Sequence, residues 1–317
     1  MKIIVTGGGG FVGSNIVDKL LKSGHEVLVI DNWSSGSIEN LPKEVLGRNV
    51  LVDLQDYNLL AFSFELFRPD LVIHCAALMG VVSSHLQPEL SLDNNVKGTL
   101  NVLEAMKFCG CKKIIYMSTS HVYGLTEDYP CKETSKLTTT SPYAESKKTG
   151  EEYVKLYKRT CNFNYTILRL GNCYGPNLKR GFIYNVIKGL VEFNDVTIYG
   201  DGTDTRDYVY IGDVCEAVIL AIDNIQNLTF NISYGQETKS CEIYQIAQEL
   251  VGIDRDYKMA TSRNNDVSRI FLNVKLALDK LNWHAKTSLK EGIAKNIDWY
   301  KQNSGRISNT DIDKGEL

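Results

Sequence analysis

The chain has 317 residues, 43% of them hydrophobic and 23% charged, with a formal net charge of −3. That length and composition fit a globular protein of one large or two medium domains with an ample core. A weakly negative chain has no basic surface to drive binding, so no nucleic-acid or anionic-membrane partner is expected, and no apolar run is long enough to span a bilayer. The first residues already read as a strand, so no leader peptide is expected, and the cytoplasm is the expected compartment. The 8 cysteines are scattered without a CxxC pair, so free thiols and no metal are expected.

In chain order, Ile3 to Val5 is an apolar β-branched run that reads as a buried parallel strand. It ends in the glycines Gly7 to Gly10, and a helical pattern opens at Phe11 and Val12 and runs through Ile16, Val17, Leu20 and Leu21. Strand, glycine turn and helix make a phosphate cradle. Gly7 permits the tight turn, Gly10 lets a pyrophosphate approach the backbone, and Gly13 lets helix and strand lie close. The N–H groups and dipole of the helix start face the phosphates. A second strand from Glu26 to Ile30 ends at Asp31, with Asn32 beside it. A carboxylate there accepts both ribose hydroxyls and repels a 2′-phosphate, which favours NAD(H) over NADP(H).

Val50 to Leu54 reads as a third strand ending at Asp53, followed by a helix around 59–67 that Pro69 closes. Leu71 to Ala77 is a fourth strand and its exit. Small residues such as Ala76 there let a cofactor lie against the backbone, and His74 reads as structural. Asn94 to Ala105 has helical spacing, with Asn95 near its start, and Lys113 to Ser118 is a fifth strand. A helix follows from Tyr143 to about Cys161, then a sixth strand from Tyr165 to Leu170. This alternation implies a parallel sheet covered on both faces. Past Gly171 the elements shorten. Strands at Val196–Tyr199 and Leu228–Ile232 and helices at Cys241–Val251 and Asn273–Leu281 suggest a smaller domain over 173–303. The stretch 207–225 is expected to return to the first domain, 1–172, and residues from about 304 to 317 are expected to be a loose tail.

Tyr143 and Lys147 stand four apart on one helix face, where an ammonium, joined by the positive charge of an oxidised nicotinamide nearby, can favour a phenolate and turn the tyrosine into a general base. Serine and threonine hydroxyls at 118–120 end the fifth strand, where the third member of such a site belongs.

Together, the Thr6-Gly7-x-x-Gly10-x-x-Gly13 loop, the Tyr143-x-x-x-Lys147 pair and the stretch Tyr199 to Asp213 resemble the extended short-chain dehydrogenase/reductases, that is, the NAD-dependent epimerase/dehydratase family. The resemblance covers about residues 1–300. It implies an α/β fold, a Rossmann doubly wound parallel sheet with a smaller C-terminal α/β substrate domain. It implies that Asp53 and Leu54 cap the adenine, that Asn95 belongs to the family's Asn-Val-x-Gly-Thr helix at the cofactor, and that Thr119 joins Tyr143 and Lys147 in catalysis. Ser118 and Ser120 flank Thr119 as neighbouring candidates. Asn172, Arg206 and Arg263 are implied to hold the sugar nucleotide, forked guanidiniums being matched to a diphosphate. The family's 4,6-dehydratases carry Asp-Glu after this threonine, and here the pair is Ser120-His121. The resemblance therefore points to NAD-dependent inversion at C4 of a UDP-hexose through a 4-keto sugar, by a homodimer. Its alternative is a UDP-glucuronate decarboxylase or another dehydratase or reductase of the branch. A non-enzymatic NAD-binding protein is the reading from another class.

Overall fold

The structure, a computed structural model, describes residues 1–261 and 269–304. The first half alternates as its hydrophobic pattern requires. Strand β1 (Lys2–Thr6), helix α1 (Phe11–Lys22), β2 (Glu26–Asp31), β3 (Asn49–Leu51), α2 (Tyr57–Phe67) and β4 (Leu71–His74) come first. Two short helices, α3 (Val81–Leu86) and α4 (Pro88–Ser91), lead through a π-helical turn, Leu92–Lys97, into α5 (Gly98–Cys109). Then come β5 (Lys113–Thr119), α6 (Pro142–Cys161) and β6 (Asn164–Leu170).

The second half holds β7 (Asn172–Tyr174), α7 (Phe182–Val191), β8 (Thr197–Tyr199), β9 (Thr205–Tyr210), α8 (Ile211–Asp223) and β10 (Leu228–Ile232). It closes with β11 (Glu237–Lys239), α9 (Ser240–Val251), β12 (Lys258–Ala260), β13 (Arg269–Ile270), α10 (Lys275–Leu281) and α11 (Leu289–Asn303).

Seven parallel strands form one sheet in the order β10-β6-β5-β4-β1-β2-β3. Successive residues of β1 point to opposite faces. Ile3 and Val5 pack under α1 and α8, and Ile4 packs under α2 and α5, so both faces are covered and the strand is apolar throughout. Strand order reverses between β1 and β4, which opens a crevice at their carboxyl ends, the place where doubly wound sheets bind ligands.

The smaller lobe packs α7, α9 and α11 around Ile187, Leu190, Tyr244 and Ile293. Its strands form two small sheets, β9 with β7, β11 and β13, and β8 with β12. Helix α8 returns to the large sheet and packs against α1. So does β10, which pairs with β6. The return to the large sheet thus reaches Ile232, past the 207–225 stretch expected from the pattern. A five-residue strand of alternating apolar and polar residues reads the same whichever sheet receives it, and only pairing with β6 decides. Arg263 and the tail from 305 to 317 lie outside the described residues.

Candidate active site

The turn between β1 and α1 is built by its glycines. Gly7 has φ +66, and a Cβ on Gly13 would stand 2.1 Å from the Gly7 carbonyl oxygen, so helix and loop meet only without side chains. A Cβ on Gly10 would meet only that same carbonyl, at 3.3 Å. The Gly10 side of the loop therefore faces open space. It opens into a cleft of about 590 Å³, well within the size of ligand sites (~300–1,000 Å³).

Gly7, Gly10, Phe11, Val12 and Gly13 line one wall of the cleft. Asp31, Asn32, Asp53 and Leu54 line its far end, and Ala76, Tyr143 and Lys147 its floor. Asp31 is tied in place by the amides of Gly9 and Trp33, each donating to one carboxylate oxygen at 2.8 Å. Burial raises its pKa, while those amides pull the other way. Asn32 Nδ2 donates to Asp53 Oδ2 at 2.9 Å, joining the ends of β2 and β3. Open glycine face, helix N-terminus and anchored Asp31 fit a dinucleotide: pyrophosphate at Gly10, ribose at Asp31.

Asn95 does not line the cleft. It is buried in the π-helical turn, its Oδ1 accepting the Leu78 amide at 2.7 Å and its Nδ2 donating to the Leu78 carbonyl and to Ser146 Oγ. It pins the cleft loop to α6 from behind.

Helix α6 starts with Ser141 Oγ accepting the Ala144 amide and with Pro142 in its first turn, which sets Tyr143 on the cleft floor one turn before Lys147. Thr119 ends β5 beside Tyr143, but it is its neighbour Ser118, and not Thr119, that lines the cleft. Among the protein groups alone, burial raises the phenol pKa, and the Thr119 hydroxyl and the Arg180 guanidinium only partly oppose that. The Lys147 ammonium rests 4.2 Å from the centroid of the Tyr116 ring. Burial brings Lys147 down to about 8, against the upward pull of Cys75 and Glu151. The His121 ring stands edge-on to Tyr143, with centroids 6.2 Å apart. His74 is structural: Nδ1 pairs with Thr6 Oγ1 at 2.6 Å and Nε2 with Thr99 Oγ1 at 2.9 Å.

Asn172 and Arg206 do not line this cleft. They face a second cavity of about 540 Å³ in the smaller lobe, and Asn185 lines both spaces. Sequence reasoning missed Arg180 and Asn185. Arg180 follows Gly175-Pro176-Asn177, and only the fold of that loop carries it to the cleft wall. Asn15 Nδ2 holds the loop there through the Pro176 carbonyl at 3.0 Å.

A seven-stranded parallel sheet with a glycine-walled cleft at its switch point defines a Rossmann-type dinucleotide-binding protein. The chain belongs to the NAD dependent epimerase/dehydratase family, whose profile matches residues 3–233. A putative UDP-glucose 4-epimerase of Methanocaldococcus jannaschii is 37% identical over 308 residues, covering 95% of this chain and 99% of that protein. The UDP-glucose 4-epimerase of Mycolicibacterium smegmatis is 32% identical over 313 residues, covering 96% and 100%. The crystal structure of UDP-glucose 4-epimerase from Thermotoga maritima with UDP-glucose superposes with a TM-score of 0.93 at 34% identity, covering 96% of this chain and 100% of that one.

Proposed function

We propose that this protein is an NAD-dependent enzyme that inverts C4 of a UDP-hexose, interconverting UDP-glucose and UDP-galactose or their N-acetyl forms through a 4-keto sugar. Family membership and similarity to UDP-glucose 4-epimerases over nearly the whole chain support this reading. The observation that carries it is the meeting of Tyr143 and Lys147 with the glycine loop and Asp31 in one cleft, with Ser120-His121 following Thr119 where a dehydratase has two carboxylates.

NAD, when bound, supplies the acceptor for the C4 hydride and its source on return. Tyr143 takes the proton of the 4-hydroxyl and gives it back. Thr119 holds the sugar oxygen within reach of the phenol, and Lys147 supplies positive charge below it. Because burial raises the Tyr143 pKa, protein groups alone leave the phenol protonated near neutrality, and the positive charge of oxidised nicotinamide favours the phenolate in the complex. With no carboxylate in the Ser120-His121 pair, no group there is suited to expel water. Arg206 and Asn172 hold the diphosphate and sugar across the second cavity, Asn185 joins the two spaces, and Arg263 is the second phosphate-binding arginine. The protein works as a homodimer through the outer faces of α5 and α6, an isologous contact.

The test is incubation with UDP-, GDP-, CDP- and dTDP-sugars, read by mass and NMR. The reading requires a product of unchanged mass, inverted at C4, reached from either side and without net NADH. Loss of water or carbon dioxide would move the protein to the dehydratase or decarboxylase reading.

A further inference from the structure

The Lys147 ammonium is buried, and its place is not explained by an ion pair with its charged neighbour. Glu151 stands one turn along α6, but Arg169 Nε donates to its Oε1 at 2.9 Å and Arg169 Nη2 to its Oε2 at 2.7 Å. Ser118 Oγ also donates to Oε1, at 2.6 Å. What lies under the ammonium is the Tyr116 ring, with Nζ 4.2 Å from its centroid.

That ring is locked from several sides. Tyr116 is fully buried on β5. Its hydroxyl donates toward the Lys147 carbonyl at 3.4 Å. It occupies the space left by Gly150, where a Cβ would stand 2.1 Å from the phenolic oxygen. Beside the ring, His74 pairs with Thr99 at 2.9 Å and with Thr6 at 2.6 Å, and Thr6 is the residue before Gly7. His74 and Tyr116 stand ring to ring with centroids 5.6 Å apart. A cation on the face of a buried aromatic ring is drawn to the ring quadrupole, most strongly where water is excluded.

We propose that Tyr116 is a positioning residue for Lys147, its ring face being the seat that holds the ammonium beneath the cleft while His74, held by Thr6 and Thr99, packs against the ring. The importance of that seat for catalysis rests on the function proposed above; the seat itself does not.

The groups around the ammonium are His74 and Cys75 at the end of β4, Tyr116 on β5, and Tyr143 and Glu151 on its own helix. Burial keeps the imidazole neutral and pushes the Cys75 thiol up to about 12, and Glu151 is paired with Arg169. The quadrupole of Tyr116 can therefore be varied while these charges stay the same.

The experiment is a fluorination series at position 116 in the full chain: Tyr116→Phe, then the same position filled by difluoro- and trifluorophenylalanine. These rings keep nearly the same volume while the negative face is progressively withdrawn. Lys147 is followed by NMR of 13C,15N-labelled lysine, its signal assigned by loss in Lys147→Met. Tyr116→Phe should leave the Lys147 titration close to that of the parent. The trifluoro ring should lower it by about one pH unit. An unmoved titration across folded members of the series overturns the seat, because a ring that only fills space would give that result. The alkaline limb of kcat for C4 inversion should move with the titration. A parent that fails to invert any UDP-sugar would sink the proposed function, while the lysine titration would still decide the seat.

Discussion

Arg169 and Glu151 meet as a forked ion pair in the interior, with Nη2 2.7 Å from Oε2 and Nε 2.9 Å from Oε1, and neither side chain is more than 3% exposed. The pair joins β6 to α6 one turn beyond Lys147, and Ser118 ties it to the end of β5. Removing one partner strands a buried charge, so Glu151→Ala or Arg169→Ala should each cost about 3–5 kcal/mol in denaturant unfolding. The apolar double replacement Glu151→Leu with Arg169→Met should recover much of that loss. Burial alone would raise the Glu151 pKa, but the Arg169 hydrogen bonds and charge outweigh it and hold the group below its ordinary 4.5. A depressed folded pKa stabilises above the unfolded value and loses that contribution as pH falls below about 4.5.

His74 governs a different window. Burial, helped by the Lys147 charge, lowers its pKa from 6.5 to about 3. The unfolded imidazole takes up a proton near 6.5, while the folded one stays neutral to about 3. Stability should therefore be full above 6.5 and fall steadily below it, before Glu151 contributes. His74→Asn, which has no proton to gain, should flatten that part of a urea-midpoint profile against pH, although the variant starts less stable. An unchanged slope between pH 6.5 and 4.5 would count against the neutral buried imidazole.

Tyr143→Phe removes the proposed proton acceptor and leaves the glycine loop untouched. C4 inversion should fall by roughly 10²-fold or more, with NAD binding by calorimetry little changed. Thr119→Ala should lose less, since it orients the oxygen and carries no charge. A Tyr143→Phe enzyme of near-parental kcat would remove Tyr143 from the mechanism.

Asp31 receives the Gly9 and Trp33 amides and still lines the cleft. NAD(H) should bind well and NADP(H) poorly. Asp31→Ala should weaken NAD and narrow the gap, because it removes both the ribose acceptor and the charge that repels a 2′-phosphate. Equal affinity for the two cofactors in the parent protein would falsify this role.

A homodimer through α5 and α6 should show in multi-angle light scattering at micromolar concentration as twice the chain mass. A charge reversal on the outer face of α6, Lys148→Glu, should weaken it with little effect on the fold, since that side chain is only half-buried in the single chain and, among the described residues, its ion pair is with Glu145. A monomer in the parent would remove the dimer from the proposal.

The sequence by itself determined what depends on spacing along one element. Residues four apart on a helix share a face, so Tyr143 and Lys147 reach one cleft whatever surrounds them. A strand running into Gly7, Gly10 and Gly13 can make only a tight turn into a close-packed helix, and Asp31 follows from where the next strand ends. Tertiary structure decided everything that depends on a partner distant in the chain. It put β10 beside β6, brought Arg180 and Asn185 to the cleft, and placed Asn95 behind the wall. It also decided the burial of Tyr143. Helical spacing allows Lys147 to face the phenol, but it says nothing of how deeply the phenol is buried or that the ammonium rests on Tyr116, 31 residues away in sequence. Periodicity is a property of the local backbone, whereas desolvation and ring contacts exist only once separate elements have packed.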